Sequence, residues 1–532
     1  MTASNNTENR SDHTQVIQAA GLVGAAFLVS RIVGLVRNVI KVNYLGLGLE
    51  ATAYDTASRF PEAIFLIIAG GAIGSAFIPT FSAYFARDDD KSGWHLFAAV
   101  INLVTVAITA VALLTIIFAR QFVILFLHEL VVDDPALLDL TVRLMRIMLL
   151  SPIIFGASGV IMAALNARQH FLLPALAPIV YNLGIIGGAI IGKPPEVGMA
   201  WGTVVGAMGH LLVQLPGLRQ KRARYSAVFT LRHPGVQQVL RLMAPRVLGL
   251  SFSEINKFAT VYLSGFISAP SVPALQNAWQ IMIMPQGILG QALGIAAFPT
   301  LATLAARSAL AEMRQILTSS LRLLIFLGLP ASIFLMLLRR PIVTLLYERG
   351  RFGSADTELV AWALLFYAIG LIALASLEVI SRAFYALSDT LTPVLAGGVQ
   401  AIVMVVLSQW LSATVFPAIG WEASGGLALG FSLSNFLEVA VLLELLRRKM
   451  GGLNGRAFLD ALWRMGAATL LMAGSLWLVL SWLAQSSIWW QTLGGIAAGT
   501  LAYLAGCSLL RVEEIEQFTS YGRRLLRRVT RK

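Results

Sequence analysis

The chain is poor in charge, cysteine and histidine, and each shortage removes a class of protein. Charged residues make up 13% of the 532 residues, whereas hydrophobic residues make up 57%. A single hydrophobic core stops growing beyond about 250–300 residues, so a soluble protein of this length cannot bury so much apolar surface. The excess must face lipid, and the sequence therefore predicts a membrane protein.

The one cysteine, Cys507, lies within an apolar run, which excludes an internal disulfide and a cluster of thiolate metal ligands. The six histidines are scattered, and none has the spacing of metal ligands. The sequence has no nucleophile elbow and no phosphate-binding glycine loop, so we expect no enzymatic activity, no cofactor and no metal ion. The hydrophobic stretch after the polar N-terminus is too long for a signal-peptide core, so we expect the first helix to be retained.

Long apolar stretches dominate the rest of the chain. A helix that crosses the hydrocarbon of a bilayer needs roughly 20 apolar residues. We expect an all-α polytopic membrane protein with about fourteen transmembrane helices. The predicted spans are residues 16–44, 52–87, 95–121, 138–167, 171–192, 197–218, 237–268, 273–306, 314–338, 357–387, 391–416, 423–449, 458–484 and 489–510.

Basic residues concentrate between the spans and give the chain a formal net charge of +13. The loop at 219–236 has five basic residues and no acidic residue, and the C-terminal tail is also strongly basic. Cytoplasmic loops carry such an excess of Lys and Arg, so we place both termini in the cytoplasm. Because anionic lipid accounts for the basic charge, we do not expect nucleic-acid binding.

A sequence repeat relates the two halves of the chain. Around Pro79 the chain reads GSAFIPTFSAYFAR, and around Pro299 it reads GIAAFPTLATLAAR. The offset between these two prolines recurs at a second place, and it shortens by a single position at a third, where Pro174 matches Pro393. An offset that stays nearly constant at three separate places is hard to obtain by chance. The matched residues are Gly74, Ala76, Pro79, Thr80, Ala86, Arg87, Arg120, Val123 and Leu125 with Gly294, Ala296, Pro299, Thr300, Ala306, Arg307, Arg340, Val343 and Leu345, and Ala164, Ala167, Leu172 and Pro174 with Ala383, Ala386, Leu391 and Pro393.

The repeat covers six predicted spans, an even number, so both copies have the same orientation in the membrane. Parallel repeats of this kind are typical of secondary transporters, which bind substrate between two lobes that rock against each other. We therefore expect two six-helix lobes and two further C-terminal helices. The predicted segments are a cytoplasmic N-terminal tail (1–15), an N-lobe with helices 1–6 (16–218), a basic cytoplasmic loop (219–236), a C-lobe with helices 7–12 (237–450), helices 13 and 14 (451–511) and a basic cytoplasmic tail (512–532).

The first predicted span has one strongly cationic side. At about 100° per residue, its polar and basic residues fall within an arc of roughly 120°, and apolar residues fill the rest. The alternative is an interfacial helix with snorkelling basic side chains, but Arg31 and Arg37 lie some 15 and 21 residues into the span, too deep for both to reach the interface. Because arginine binds phosphate and carboxylate through two hydrogen bonds, we predict a water-lined anion site. The predicted substrate-binding residues are Ser30, Arg31, Gly34, Arg37, Asn38, Lys41 and, on the second helix, Arg59.

Other polar residues within the spans each have two interpretations. Asp55, Arg59 and Glu62 share one face of the second helix, where they form either a structural ladder of ion pairs or a gate at the outer mouth. On the seventh helix, Glu254 and Lys257 are either a neutralised structural pair or a coupling site. A glutamine on the eighth helix either binds sugar hydroxyls or holds helices together. The gate or coupling candidates are therefore Asp55, Glu62, Glu254, Lys257 and Gln280.

The chain resembles the MurJ/MviN family in several stretches. SRIVGLVRNVIKVNYLGLG, followed by AYDTASRFPEAIFLIIAGGAIGSAFIPTFSAYF, is similar to the N-terminal signature of that family. MPQGILGQALGIAAFPTL resembles its eighth helix, and YERGRF with SRAFYALSDTLTPV resembles its ninth-to-eleventh region. The resemblance covers most of residues 15–450. The residues that match the N-terminal signature are Ser30, Arg31, Gly34, Arg37, Arg59, Pro61, Ala76, Phe77 and Pro79.

This resemblance implies a flippase that carries lipid II, the undecaprenyl-pyrophosphate-linked precursor of peptidoglycan, across the cytoplasmic membrane by alternating access. It implies a lipid-linked anionic substrate, a cationic cavity for the pyrophosphate, and a groove for the polyprenyl tail at helices 13 and 14. Membrane lipids and enzymes of cell-wall synthesis are the partners that it implies. The family belongs to the same superfamily as the MATE multidrug exporters and the oligosaccharide-lipid flippases.

Four departures from the family's pattern bear on the cargo. Since the first-helix arginines remain while several of their partners are lost, either Lys41, Arg59 or Lys257 rebuilds the cavity, or the cargo is another lipid-linked oligosaccharide or amphipathic molecule. An alternative from a different class is a non-transporting membrane scaffold for envelope synthesis, which would tolerate charge-neutral replacements in the first helix. The departures are Thr52 in place of an Asp, Phe65 and Gln280 in place of cavity arginines, and Gly70 in place of a Glu.

Overall fold

The computed structural model describes residue 26 and residues 28–70, 72–452 and 455–515. Every regular element in these residues is helical, which confirms the predicted all-α membrane fold. The predicted N-terminal tail (1–15), the first residues of the first span and most of the basic C-terminal tail lie outside the described residues.

The chain divides into two compact units, Met1–Val272 with Gly350–Phe352, and Pro273–Arg349 with Gly353–Lys532. The helices up to the boundary are α1 (28–45), α2 (Leu49–Ile64), α3 (Ala72–Phe85), α4 (Asp90–Ile117), α5 (Ala119–Asp133), α6 (Pro135–Met148), α7 (Leu150–Ala167), α8 (Leu172–Ile191), α9 (Pro195–Leu212), α10 (Leu215–Gln220) and α11 (Pro234–Gly265). Those that follow are α12 (Ser271–Gln286), α13 (Ala292–Ala306), α14 (Leu310–Leu337), α15 (Arg339–Tyr347), α16 (Ser354–Ala386), α17 (Leu391–Trp410), α18 (Phe416–Ala418), α19 (Ser424–Lys449), α20 (Gly455–Trp482) and α21 (Ile488–Leu509). Short π-helical segments continue α2, α12 and α17 at Phe65–Gly70, Gly287–Gln291 and Leu411–Val415.

Helix α11 belongs to the first unit, where it packs against α2, α3, α4 and α5. The sequence repeat assigns the same helix to the second copy, in which it corresponds to α1. Packing and repeat membership are separate properties of a helix. The predicted lobe boundaries, 16–218 and 237–450, therefore stay a prediction.

Eleven helices among the described residues are long and apolar enough to cross a membrane. They coincide with all of the predicted spans except the first, second and seventh, which correspond to α1, to α2 with α3, and to α11. The second is divided in the described residues between α2 and α3, each too short to cross a membrane alone, whereas the first and seventh carry several ionisable side chains, which oppose insertion into hydrocarbon. The polytopic membrane fold is thus confirmed, whereas the number of fourteen spans stays a prediction.

The backbone repeats its irregularities at the spacing of the sequence repeat. Asp88 and Ser308 are separated by the same offset as Pro79 and Pro299, and they have positive φ angles of 58° and 54°. Gln169 and Ser388 are separated by the same offset as Pro174 and Pro393, and their φ angles are 55° and 59°. Residues other than glycine rarely adopt positive φ, so this coincidence has a structural origin. The two halves fold by the same plan and in the same direction along the chain.

Helices α8 and α9 approach each other closely through glycine. A Cβ at Gly188 would lie 2.1 Å from the carbonyl oxygen of Gly198, and a Cβ at Gly202 would lie 2.5 Å from that of Gly184. Small residues permit such contacts, which hold helices together in lipid, where apolar surfaces gain little by leaving the solvent. The contact fixes α9, which carries Trp201 and Thr203.

The last two helices pack on α14 within the second unit. Tyr503 of α21 donates a hydrogen bond of 2.7 Å to the carbonyl oxygen of Phe326. Arg322 forms ion pairs with Glu514 at 2.6 Å and with Glu513 at 2.8 Å, just after α21. These contacts attach the pair of C-terminal helices to the repeat, and the groove for a lipid tail stays a prediction.

The topology can be tested with single cysteines in a Cys507→Ala background. Val131, in the predicted connection between the third and fourth spans, is buried, whereas Val132 is 61% exposed, and Ser226 and Ser487 are exposed as well. A membrane-impermeant maleimide should label Val132→Cys and Ser487→Cys in intact cells, because both follow an odd number of predicted spans. It should label Ser226→Cys only after permeabilisation. Labelling of Ser226→Cys in intact cells would reverse the orientation.

Candidate functional site

Helix α1 has the two sides that the sequence predicts. Its apolar side is between 44% and 59% exposed at Leu28, Val29, Ile32 and Val36. Its polar side is half-buried at Ser30, Arg31, Gly34 and Arg37, and buried at Asn38 and Lys41. Within the described ranges, and apart from the neighbouring residues and backbone of α1 itself, no heavy atom lies within 4 Å of the position that a Cβ at Gly34 would take. The cationic side of α1 therefore borders open space at its middle turn.

Lys41 is held by Asp55 of α2. Its Nζ lies 2.8 Å from each carboxylate oxygen of Asp55, and the two side chains are only 5% and 1% exposed. Each of these charges alone would be costly to bury, so they are stable together. The pair fastens the C-terminal half of α1 to α2. It also compensates the charge of Lys41, which the sequence assigns to the anion site.

Arg59 pairs with Glu62 and keeps a further donor. Its Nη1 lies 3.4 Å from Oε2 of Glu62, whose side chain is 47% exposed. The Nε of Arg59 is buried and has no hydrogen-bond partner among the described residues. A buried donor without an acceptor is unfavourable, so Arg59 has the capacity to bind another acceptor. The predicted ladder on α2 is half formed, since Asp55 faces Lys41 instead of Arg59.

Arg37 is half-buried and forms no ion pair with any described residue. Its charge acts on the buried ammonium of Lys41 and on the hydroxyl groups of Tyr54 and Tyr181. Lys41 is compensated by Asp55, whereas Arg37 is not compensated within the described part of the chain. This guanidinium is therefore the group best suited to receive an anion.

On α11, the position that corresponds to Arg37 in the sequence repeat carries a basic residue whose charge is neutralised within the protein. In the sequence repeat, Lys257 corresponds to Arg37 and Glu254 corresponds to Gly34. The Nζ of Lys257 lies 2.7 Å from Oε1 of Glu254, which is 3% exposed. Where the second copy has this carboxylate, the first copy has glycine. Lys257 is thus neutralised inside the protein, and Arg37 lacks the equivalent partner.

Two of the departures from the family pattern have structural contacts. Thr52 is fully buried and donates a hydrogen bond of 2.7 Å to the carbonyl oxygen of Ala269. The ring of Phe65 packs against Phe155, with centroids 4.6 Å apart. Both side chains therefore stabilise the helix packing. Gln280 lies half-buried on α12 in the second unit, and its role stays a prediction.

Two tyrosines and a threonine near Arg37 are not predicted from the sequence. Tyr54, Tyr181 and Thr203 come from α2, α8 and α9, and the two phenols lie close enough to Arg37 to feel its charge. For Tyr181 a signal was present, because a tyrosine in the middle of a span needs a polar environment for its hydroxyl group. Among the described residues, no group of three His, Cys, Asp or Glu side chains is arranged to hold a metal ion.

A loop of the first unit fixes the C-terminal end of α1. The backbone N–H of Arg351 donates a hydrogen bond of 3.0 Å to the carbonyl oxygen of Asn43, and its guanidinium lies 3.1 Å from Glu50. Gly46 has a φ of +60°, and a Cβ there would lie 2.8 Å from the carbonyl oxygen of Arg351. Only glycine fits this turn, which sets where α1 ends and α2 begins.

Sequence comparisons with known proteins agree on one family. The family model described as Lipid II flippase MurJ matches residues 41–491. A probable lipid II flippase MurJ of Vibrio cholerae is 28% identical over 520 residues, which cover 94% of this chain and 97% of that protein. A lipid II flippase MurJ of Burkholderia cenocepacia is 26% identical over 494 residues, which cover 91% of this chain and 93% of that protein.

Solved structures show the same fold. A lipid II flippase MurJ in an inward closed conformation aligns with a TM-score of 0.77 at 24% identity, covering 93% of this chain and 99% of that one. A MATE family transporter in an inward-facing conformation aligns with a TM-score of 0.68 at 14% identity, covering 80% and 98%. At these identities the two structures support the fold alone.

Separating Lys41 from Asp55 should destabilise the protein strongly. Lys41→Met and Asp55→Leu should each lower the free energy of unfolding by about 3–5 kcal/mol, because each leaves one buried charge without its partner. The double variant should recover most of this loss. Thermal unfolding of the purified protein in detergent measures the effect. Arg447→Met is the control, since its pair with Glu444 is exposed to solvent and contributes little to stability. A double variant no more stable than the single variants would show that the pair does not act as a unit.

Proposed function

The chain belongs to the lipid II flippase MurJ family, and from this membership we propose that it carries lipid II across the cytoplasmic membrane by alternating access. The pyrophosphate of the cargo binds at the cationic side of α1, and the polyprenyl tail follows α20 and α21. The chain performs transport and no chemical reaction. Both termini lie in the cytoplasm, and membrane lipids and enzymes of cell-wall synthesis are its partners.

One observation carries the proposal: the uncompensated charge of Arg37. Its side chain is half-buried, the described residues offer it no ion pair, and its neighbour Lys41 is already neutralised by Asp55. A guanidinium in a membrane span is costly without an anion or water around it. A pyrophosphate group supplies the missing charge and matches the planar, two-donor geometry of arginine.

Release of the cargo favours a small number of free charges. If Lys41, Arg59 and Lys257 were all unpaired, several arginine and lysine side chains would hold the pyrophosphate too firmly to let it leave. Asp55, Glu62 and Glu254 each remove one such charge, at distances of 2.8, 3.4 and 2.7 Å. Arg37 and Arg31 then bind the anion, Ser30 and Asn38 contribute hydrogen bonds, and the Nε of Arg59 donates to a further oxygen.

The other candidates act around this anion site. Glu62 is exposed at the end of its pair with Arg59 and serves as the gate. The pair of the buried Glu254 and the half-buried Lys257 serves as the coupling element. A different cargo, another lipid-linked oligosaccharide or an amphipathic molecule, is the second candidate function. The likeness of the fold to a MATE transporter favours it, because one fold can serve several cargoes.

Placing a carboxylate next to Arg37 should abolish transport without unfolding the protein. Gly34→Glu copies the arrangement of Glu254 and Lys257, and the open space at Gly34 accepts the side chain. Gly34→Gln is the matched control, with nearly the same volume and no charge. In cells depleted of their own lipid II flippase, Gly34→Gln should support growth better than Gly34→Glu at equal membrane levels. Equal growth of the two variants would show that the charge of Arg37 is not what the cargo needs.

Removing the guanidinium group of Arg31 or Arg37 should also abolish transport. Arg31→Ala and Arg37→Ala should each abolish growth in the depletion assay, and Arg37→Lys should restore it only in part, because a point charge loses the two-donor contact. Arg447→Ala, an exposed arginine on α19, is the control and should support normal growth. Binding of purified lipid II to the same variants identifies the cargo. Normal growth of an Arg31→Ala/Arg37→Ala double variant at wild-type levels would remove these residues from the mechanism.

A further inference from the structure

A second basic site lies in the first unit, apart from the residues of α1 and α2. A pocket of about 470 Å³ is formed by α5, α6 and α9, and its walls include Arg120, Asp139, Arg143, Arg146 and Trp201. The predicted topology places these residues towards the outer surface, where membrane proteins usually have few basic side chains. The presence of three arginines around one aspartate near the outer surface therefore requires an explanation.

The pocket retains an excess of positive charge after its internal contacts are formed. Arg120 lies 3.1 Å from Asp139, and the Nε of Arg146 donates a hydrogen bond of 3.3 Å to the carbonyl oxygen of Ile116. Arg143 forms neither an ion pair nor a hydrogen bond with the residues that the structure describes. Arg143 and Arg146 are neighbours on one face of α6, so they repel each other unless an anion lies between them.

The second half of the chain repeats the framework of this pocket. Arg340 and Glu358 are the counterparts of Arg120 and Asp139 in the sequence repeat, and they also form an ion pair. The pair of Arg120 and Asp139 is thus part of the repeated fold. It accounts for one of the three arginines, and it leaves Arg143 and Arg146 to be explained.

In the second half, aromatic side chains fill the position equivalent to this pocket. Trp362 is the counterpart of Arg143 at the offset that relates Asp139 to Glu358, and its ring packs against Trp421 with centroids 5.4 Å apart. Trp421 lies among residues 411–423, which separate α17 from α19, whereas only residues 192–194 separate α8 from α9 in the first half. The fold therefore does not require an open basic pocket here. The first half has arginine in place of an aromatic cluster, and the place is accessible.

Apolar surface continues from the pocket along two helices. On α9, one stripe starts at Trp201, which is 50% exposed, and continues through Val205, Met208 and Leu212. On α4, Leu113, Leu114 and Ile117 are between 49% and 63% exposed, next to the carbonyl group that Arg146 binds. An aromatic residue between a charged pocket and an apolar stripe is typical of the membrane interface. A ligand that fills this place has an anionic head and apolar chains.

We propose that this pocket binds the phosphate of an anionic phospholipid of the outer leaflet. Arg143 and Arg146 contact the phosphate oxygens, Trp201 lies at the level of the glycerol backbone, and the acyl chains follow the stripes on α4 and α9. Polyprenyl phosphates share the phosphate chemistry. The open, lipid-facing position of the stripes favours a bulk phospholipid, and the proposal does not depend on what the chain transports.

Lipid-dependent stabilisation tests the proposal. Full-length protein in a neutral detergent is mixed with phosphatidylglycerol, phosphatidylcholine, a polyprenyl phosphate or inorganic phosphate, and its unfolding temperature is measured. Phosphatidylglycerol should raise the unfolding temperature more than phosphatidylcholine, because a ligand of the folded state alone stabilises that state. Arg143→Gln/Arg146→Gln should lose most of this increment. Arg447→Gln/Arg448→Gln, which removes two exposed arginines elsewhere, should keep it.

Each other outcome overturns the assignment. An equal increment with phosphatidylcholine, or an increment that survives in Arg143→Gln/Arg146→Gln, would exclude the pocket as the lipid site. An equal increment with inorganic phosphate would indicate a site for free anions, and a larger one with the polyprenyl phosphate would assign the pocket to that lipid. If the double variant does not fold, Arg143→Gln alone decides, since the exposed side chain of Arg143 forms no ion pair or hydrogen bond with the described residues.

Discussion

The cost of placing charge in hydrocarbon governs this molecule. A charged side chain inside a span must contact an opposite charge, water or a ligand, because the lipid hydrocarbon provides neither hydrogen bonds nor a countercharge. The pair of Lys41 and Asp55 is the clearest response, with both side chains buried and both carboxylate oxygens 2.8 Å from the ammonium nitrogen. It joins the cationic helix α1 to α2, and so it fixes where the remaining charges of α1 stand.

Pairing divides the charged residues of the first unit into two groups. Lys41 and Lys257 are neutralised by carboxylates within 2.8 Å, which makes them elements of structure. Arg37 and Arg143, by contrast, have no ion pair within the described residues, and both stand beside open space or a pocket. Counting cations along the sequence does not separate these groups, since all four look alike there. Burial and interatomic distances separate them. A candidate site for a transient anion is a cation whose charge no neighbouring side chain compensates.

The sequence predicts the parts of the fold that follow from periodicity. Apolar stretches give the helices, the matches around Pro79 and Pro299 give the repeat, and the rotation of about 100° per residue gives the polar side of α1. It does not predict that Asp55 faces Lys41 when Arg59 lies one turn away on its own helix. That choice depends on how α1 and α2 cross, which is a tertiary property. The position of Tyr181 near Arg37 is not predicted for the same reason, because α8 is distant from α1 in sequence and approaches Arg37 only through packing.

The repeat provides an internal comparison that separates fold from function. Positions that keep their character in both halves, such as Arg120 with Asp139 and Arg340 with Glu358, serve the framework. Positions whose type of residue differs between the two halves are not needed to maintain this framework. Gly34 faces open space where the second copy has Glu254, and Arg143 lines a pocket where the second copy has Trp362. In both cases the first half lacks a group that would neutralise or cover a cation. An uncovered cation near hydrocarbon must be compensated by water or by an anion, and the proposed ligands, a pyrophosphate at Arg37 and a phospholipid at Arg143, would each provide the anion.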